Sequence, residues 1–272
     1  MGHFERSWPN VSELRPILLS GRPGGTTHRE VELLASLPSE MRLIGGLAVM
    51  CRVGVPHRTT VDLDVITRGL EDHHESISRL ALTSTGGGQY SFEGGLDLDV
   101  IEVASESAEQ VLELLVAGGT ALSDLELAVV AHTWAHDHAR ALDVVAVQDL
   151  TGERLAEANG RLVATTVGLL VMKATAVPLR ASSKPEKRSS DLYDIGRLLS
   201  VGHPNPAEVS ELPPALRQVT SERLHTWFVD DSGRDRTYRE VRRFDEPPLD
   251  LDEVADAVEE LFNANDTSAL AK

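Results

Sequence analysis

Two aspartates separated by one leucine, in the sequence RTTVDLDVI at residues 58–66, constrain the fold more than any other feature of the chain. The surrounding residues are apolar or β-branched, which predicts a strand, and alternate residues of a strand point to the same face. The Cα atoms of Asp62 and Asp64 would therefore lie about 6.5–7 Å apart on one face. Like charges held that close repel unless a cation lies between them. The pair indicates either a solvated strand face or a metal site.

A glycine pair and a second pair of aspartates extend this pattern. The segment RLIGG reads as a short buried strand that ends in Gly45 and Gly46, directly before a short apolar helix. Glycines at a helix N-terminus let a phosphate approach the backbone N–H groups. A later strand carries Asp97 and Asp99, again on one face. Three carboxylates from two neighbouring strands can hold two Mg²⁺ ions, the usual clamp for phosphoryl or nucleotidyl transfer.

Hydrophobic periodicity divides the chain into an α/β part and a helical part. We place the boundary at residue 155, with an α/β core over 1–155 and a helical region over 156–272. A hairpin is predicted from strands near 89–92 and 96–103, and DLELAVVAH and ALDVVAV are predicted as further strands. VATTVGLLVMKATAVPLR and SSDLYDIGRLLS are predicted as helices.

Composition limits the classes of function. The formal net charge of −17 over 272 residues argues against general affinity for nucleic acid, because phosphate would be repelled. The single cysteine, Cys51, excludes an intramolecular disulfide and fits a reducing compartment. The first ten residues contain no apolar run that would form a signal peptide, and no segment approaches the roughly 20 apolar residues of a membrane span. We therefore expect a cytoplasmic protein without contact to a membrane.

Two basic clusters stand out against this acidic background. The first consists of Arg180, Lys184, Lys187, Arg188 and Arg197, and the second of Arg234, Arg236, Arg239, Arg242 and Arg243. Each is either a solvated helix face or a local basic binding site.

The order of these features resembles a known family. A glycine pair, a short apolar helix, the pattern Arg-x-Thr/Ser-x-Asp-x-Asp and a later strand aspartate are similar to the nucleotidyltransferase superfamily typified by DNA polymerase β. The AbiEii/AbiGii toxin-like branch is the closer resemblance, because it also carries a helical Lys-x-x-Ala…Arg…Lys/Arg-Asp-x-x-Asp element. The resemblance covers roughly residues 40–200. The matching residues are Gly45, Gly46, Arg58, Thr60, Asp62, Asp64, Lys173, Arg180, Asp191 and Asp194.

The resemblance implies an α+β nucleotidyltransferase fold, in which a mixed β-sheet with flanking helices is followed by a helical C-terminal part. It also implies that Asp62 and Asp64 bind the Mg²⁺ ions that bridge the triphosphate of an NTP. A third carboxylate would complete the site and help to deprotonate the attacking hydroxyl. Asp97 and Asp99 both remain open for this role, and we prefer Asp99 because two apolar residues follow it, as on the family's strand.

Further residues would bind the nucleotide. Gly45, Gly46 and the hydroxyl of Thr60 would contact phosphate, and Lys173 would neutralise charge on the triphosphate. The remaining matching residues, Arg180 and Asp194, belong to the same nucleotide-binding element.

Two of the implied roles have alternatives. Asp191 would either orient Lys173 or contact the nucleotide. Arg58 would either contact the nucleotide or hold its loop, for example by pairing with Asp62.

The resemblance implies an enzyme that transfers a nucleoside monophosphate from an NTP, with Mg²⁺ as cofactor. The acceptor would be the 3′ end of tRNA, and the protein would be the toxin of a bacterial toxin–antitoxin pair with a cognate antitoxin. A small acceptor such as an aminoglycoside is the alternative, and an acidic cleft beyond the metal ligands would favour it. A non-catalytic nucleotide-binding module is a third possibility, against which the intact carboxylates count.

Overall fold

A mixed β-sheet lies at the centre of the molecule. The structure, a computed structural model, describes residues 16–54, 58, 62–117, 119, 121–180, 183–244 and 247–269, with the backbone alone from residue 263. Over these residues the sheet has eight strands: β1 (Ile17–Gly21), β2 (Arg42–Ile44), β3 (Asp62–Thr67), β4 (Thr83–Gly86), β5 (Gln89–Phe92), β6 (Leu96–Glu102), β7 (Arg140–Gln148) and β8 (Arg154–Val163).

The spatial order of the strands is β1-β7-β8-β2-β3-β6-β5-β4. The pairs β1/β7, β2/β8 and β3/β6 are parallel, and the other neighbours are antiparallel. The predicted hairpin is present as β5 and β6, which pair antiparallel. The predicted strand at residues 62–66 is β3, which lies between β2 and β6 in the interior of the sheet.

Helices flank the sheet and make up most of the chain beyond it. They are α1 (Thr26–Ser36), α2 (Gly45–Val53), α3 (Leu70–Leu80), α4 (Ala108–Val116), α5 (Asp124–Asp137), α6 (Thr166–Arg180), α7 (Pro185–Ser200), α8 (Pro206–Ser210), α9 (Pro214–Leu224), α10 (Asp231–Val241) and α11 (Leu251–Ala269), with a π-helical segment at His225–Val229. The predicted helices at 163–180 and 189–200 correspond to α6 and α7. The predicted α+β class, a mixed sheet with flanking helices and a helical C-terminal part, is confirmed.

The predicted strand in DLELAVVAH is wrong, because these residues begin helix α5. Ser123 caps the helix by accepting a hydrogen bond from the backbone N–H of Glu126, whose side chain returns to the N–H of Ser123. This capping box satisfies backbone groups that a strand would leave to a neighbour. The two adjacent valines favoured a strand locally, and burial of both helix faces removed the helical periodicity that would have corrected the prediction.

Strand β8 was not predicted from the sequence. It pairs with β7 on one side and with β2 on the other, so the central sheet extends past the predicted boundary at residue 155. Glu157, Asn159 and Gly160 interrupt its hydrophobic pattern and lie on the exposed part of the strand. The division into two domains stays a prediction, with its boundary inside β8.

Helix α2 connects the sheet to the helical part of the molecule, since it packs against β3 on one side and against α6 and α7 on the other. Its residues Leu47, Ala48 and Met50 are almost fully buried. Burying this apolar helix fixes the end of β2, the start of α2 and the face of α7 relative to β3. Among the described residues, no helix combines the length and the apolar character that crossing a membrane requires.

Candidate active site

Three carboxylates meet on β3 and β6. The parallel register places Asp62 opposite Asp97 and Asp64 opposite Asp99. One carboxylate oxygen from each of Asp62, Asp64 and Asp99 lies within 4.8 Å of the other two. Hard divalent cations such as Mg²⁺ prefer oxygen ligands of this kind. The three side chains, which we name the carboxylate cluster, therefore fit a divalent cation.

Asp97 lies beside the carboxylate cluster and has a different environment. Its side chain is exposed and accepts a hydrogen bond of 2.7 Å from the hydroxyl of Ser91 on β5. Asp99, by contrast, is half-buried and shares the cluster with Asp62 and Asp64. The geometry thus favours Asp99 over Asp97 as the third carboxylate.

Gly45 lies directly against the cluster. The antiparallel register of β2 and β3 places Ile44 opposite Asp64, and the next residue, Gly45, adopts a φ of +68°. A Cβ atom at Gly45 would meet Oδ2 of Asp64 at 2.0 Å. Only glycine therefore allows both the positive φ and the close approach of this carboxylate.

Helix α2 begins at Gly45 and Gly46, beside the cluster. Ile44 at the N-cap position has no side chain that could accept a hydrogen bond from the first turn. The free N–H groups of that turn and the positive end of the helix dipole suit an anionic ligand such as phosphate.

Burial makes the cluster electrostatically unfavourable without a cation. It raises the pKa of Asp64 to about 7, and the neighbouring charge of Asp62 adds to the effect. A carboxylate that is so reluctant to ionise becomes a good ligand only when a positive charge compensates it.

Lys187 of α7 supplies one positive charge. Its ammonium lies 2.9 Å from Oδ2 of Asp62. Partial burial lowers the pKa of Lys187, but the hydrogen bond and the charge of Asp62 outweigh this effect and raise it. The sequence identified Lys187 as a member of the first basic cluster. It did not predict the contact with Asp62, because the two residues are 125 positions apart in the chain.

A second group of charges consists of side chains from α6 and α7 together with Arg58, which lies between α2 and β3. We name it the α7 charge network: Arg58, Lys173, Arg180, Asp191 and Asp194. The ammonium of Lys173 lies 2.9 Å from Asp191 and 2.8 Å from Asp194. Arg58 donates two hydrogen bonds of 2.7 Å to the two oxygens of Asp194, and Arg180 pairs with the other oxygen of Asp191. Each aspartate of the network thus has two cationic partners.

The two aspartates and the lysine of the network are buried. Asp194 is fully buried, and Asp191 and Lys173 are 3% and 8% exposed. Burial lowers the pKa of Lys173, but the charges of Asp191 and Asp194 outweigh it and raise the pKa above its usual value. Asp194 has the same effect on Arg58, so the cations stay charged. The alternative in which Asp191 orients Lys173 matches this geometry, and the loop-holding ion pair of Arg58 is made with Asp194.

A cavity of about 330 Å³ joins the two groups of charges. Its lining includes Gly45, Gly46, Asp62 and Asp64 on one side and Asp191 on the other. Five lysine and arginine side chains line it: Arg58, Lys173, Arg180, Lys187 and Arg243. The volume lies in the range of small-ligand sites.

Two further residues of the cavity wall, Arg243 and Phe244, follow α10. Phe244 stacks on Tyr193 of α7 with ring centroids 4.8 Å apart, and the guanidinium of Arg243 lies 4.9 Å from the Phe244 ring. Arg243 also donates to the backbone carbonyl of Glu186 at 2.7 Å. The charge pattern marked Arg243 as part of the second basic cluster, but nothing in the sequence placed it at this cavity.

The structure brings together Gly45, Gly46, Arg58, Asp62, Asp64, Lys173, Arg180 and Asp191 as cavity-lining residues, with Asp99 and Asp194 in direct contact with them. Thr60, predicted to contact phosphate, lies outside the described residues.

The mixed sheet, its carboxylate cluster and helix α2, which begins with two glycines, fit the nucleotidyltransferase class that the sequence resembles. The sequence model of the AbiEii nucleotidyl transferase toxins of type IV toxin–antitoxin systems matches residues 32–271. The chain belongs to this family. The predicted family and the predicted class of enzyme are confirmed.

Comparisons with curated proteins and with solved structures do not define the family further. A search of curated proteins found no match. Among solved structures, an antigenic nucleotidyltransferase-like protein from Paracoccidioides brasiliensis is similar over 79% of this chain and 92% of its own, with 14% identity and a TM-score of 0.42.

Proposed function

We propose that the chain transfers a nucleoside monophosphate from an NTP to the 3′ end of tRNA, using Mg²⁺ held by Asp62, Asp64 and Asp99. The observation that carries this proposal is the carboxylate cluster, whose three oxygens lie within 4.8 Å of one another beside the start of α2. Bound Mg²⁺ would supply positive charge to the phosphate oxygens.

The residues of the chain have separate tasks in this reaction. The N–H groups at Gly45 and Gly46 bind phosphate oxygens and hold the α-phosphorus toward the acceptor. Asp99 accepts the proton of the attacking hydroxyl. The hydroxyl oxygen forms a bond to the α-phosphorus, and the bond from that phosphorus to the β-phosphate bridging oxygen breaks, so that pyrophosphate leaves.

The charge of the cavity wall supports an anionic acceptor. Beyond the carboxylate cluster, the acidic side chains of the wall are Glu186 and Asp191, and Asp191 is neutralised within the α7 charge network. Five lysine and arginine side chains line the same wall. Three of them belong to the α7 charge network, where they face two aspartates and leave one positive charge in excess. Lys187 and Arg243 lie outside the network and add to this excess. A cationic aminoglycoside favours an acidic cleft, whereas RNA favours this wall.

Both basic clusters contribute to the cavity, which strengthens the case for RNA. Arg180 and Lys187 come from the first cluster, and Arg243 comes from the second. Local positive charge of this kind offsets the repulsion that a net charge of −17 would otherwise impose on tRNA. Membership of a toxin family implies an antitoxin, and we place the activity in the cytoplasm, where NTPs and tRNA occur together.

The test is transfer of label from each α-³²P-labelled NTP in turn to total tRNA, with aminoglycosides as parallel acceptors. We expect label on tRNA from the wild-type protein and a loss of roughly 100-fold or more in Asp64→Asn. Asp97→Asn is the matched control, since Asp97 lies next to the cluster without belonging to it, and it should label tRNA normally. Wild-type labelling by Asp64→Asn, or label on aminoglycosides alone, would contradict the proposal.

A further inference from the structure

The five lysine and arginine side chains of the cavity wall differ in their ion-pair partners. Arg58, Lys173 and Arg180 are tied to the buried carboxylates of Asp191 and Asp194. Removing a cation from such a pair leaves a buried charge without compensation, which is strongly unfavourable. The ammonium of Lys173, held by two carboxylates at 2.9 and 2.8 Å, is therefore poorly suited to move toward a substrate.

Lys187 has a different attachment. Its side chain is about half exposed, and the oxygen that it contacts belongs to Asp62, a member of the carboxylate cluster. A divalent cation in the cluster would bind the same carboxylate group of Asp62. The ammonium and the metal ion therefore compete for one carboxylate, and the doubly charged ion with two further ligands has the advantage.

We propose that Lys187 is the side chain that binds the triphosphate of the NTP, and that it leaves Asp62 when the divalent cation binds there. The inference rests on the proposed function and moves the triphosphate-binding role from Lys173 to Lys187. Lys187 lines the same cavity as Gly45 and Gly46, so its ammonium and the start of α2 border the space proposed for the triphosphate. A compact ammonium on a flexible four-carbon chain can exchange a carboxylate for a phosphate oxygen by rotation of its own bonds.

This exchange predicts effects of opposite sign on two ligands. In Lys187→Met, the competitor for Asp62 is gone, so Mn²⁺ alone should bind about two- to fivefold more tightly, the range expected for a partly exposed ion pair. Binding of the α,β-methylene analogues of the four NTPs, in saturating Mg²⁺, should weaken roughly 10- to 100-fold because a charged hydrogen bond to phosphate is lost. A residue that only supported the fold would weaken both ligands or neither.

The measurement is isothermal titration calorimetry of the full chain with Mn²⁺ and with each analogue. Lys184→Met is the matched control, because Lys184 is an exposed lysine three positions away in the same basic cluster and lies outside the cavity lining. It should bind both ligands as the wild type does. Lys187→Arg keeps the charge and should retain most of the analogue affinity.

Asp64→Asn separates this inference from the proposed function. If Asp64→Asn binds Mn²⁺ as the wild type does, the metal site itself is wrong. If Asp64→Asn loses Mn²⁺ binding while Lys187→Met changes neither ligand, the metal site stands and the role of Lys187 is overturned. Weaker Mn²⁺ binding by Lys187→Met would also overturn it, because a competitor cannot support the ligand that it excludes.

Discussion

The carboxylate cluster and the α7 charge network both contain aspartates, but cations of the protein neutralise the aspartates of the network and leave those of the cluster largely uncompensated. In the network, two buried aspartates face three cations, of which Lys173 is buried and Arg58 and Arg180 are partly exposed. In the cluster, three carboxylates converge within 4.8 Å, and the ion pair described for them is that of Lys187 with Asp62. The negative charges of the network are therefore neutralised within the protein, whereas those of the cluster require a bound cation.

The difference teaches how to distinguish a structural charge from a functional one. Mutation of a buried, fully hydrogen-bonded ion pair is costly, because removal of one partner leaves the other as an uncompensated charge in a low-dielectric interior. An incomplete set of like charges beside a cavity costs free energy in the folded protein and recovers it when a cation binds. We therefore expect mutations in the two sites to separate stability from activity.

The largest expected effect is on stability, in a comparison of Asp194→Ala with Asp99→Ala. Loss of Asp194 leaves Arg58 and Lys173 short of a buried partner, and the free energy of unfolding should fall by about 3–5 kcal/mol. Loss of Asp99 relieves repulsion within the cluster, so stability should change by less than about 0.5 kcal/mol while transfer to tRNA is lost. Urea denaturation and the labelling assay measure the two quantities.

Similar losses of stability in the two variants would break this comparison, because both aspartates would then be structural. A stable, inactive Asp194→Ala would break it in the other direction, by making Asp194 a ligand of the substrate.

A second comparison concerns the two ends of α2, where Gly45 and Gly54 both have positive φ, +68° and +81°. Alanine in this conformation costs about 1–2 kcal/mol at either position. A Cβ at Gly54 meets nothing within 4 Å, whereas one at Gly45 meets Asp64 at 2.0 Å. Gly54→Ala should therefore lose stability and keep full activity. Gly45→Ala should also displace Asp64 and lower the transfer rate by about 100-fold.

Thermal unfolding and the initial rate of labelling, measured side by side, test this pair of glycines. Equal activity in Gly45→Ala and Gly54→Ala would show that the reaction tolerates displacement of Asp64, and would weaken the proposal that Asp64 is a metal ligand.

The sequence predicted the parts of the fold that depend on local order. Alternation in VDLDVI identified β3, and the glycine pair located the start of α2, because strand period and φ preference are properties of a few adjacent residues. The segment DLELAVVAH was misread because tertiary burial of both helix faces hid its helical period. The contact of Lys187 with Asp62 could not be predicted, since it joins residues 125 positions apart and depends on how α2 packs against both β3 and α7.

The smallest expected effect is a pH dependence that belongs to the cluster alone. Burial and the charge of Asp62 raise the pKa of Asp64 from 3.8 to about 7, so without metal its stabilising contribution is present below pH 3.8 and is lost as the pH rises through 7. Metal binding needs the ionised form, so the Mg²⁺ affinity should be about tenfold higher at pH 8 than at pH 6. The charges of Asp191 and Asp194 raise the pKa of Lys173 above its usual value, so Lys173 stays charged throughout this range. Calorimetric titration of Mg²⁺ at the two pH values measures the effect, and the control variant Asp97→Asn, which leaves the carboxylate cluster intact, should retain it. An equal affinity at both pH values in the wild-type protein would mean that Asp64 is already ionised at pH 6. The protein's own cations would then compensate the cluster, as they compensate the aspartates of the α7 charge network.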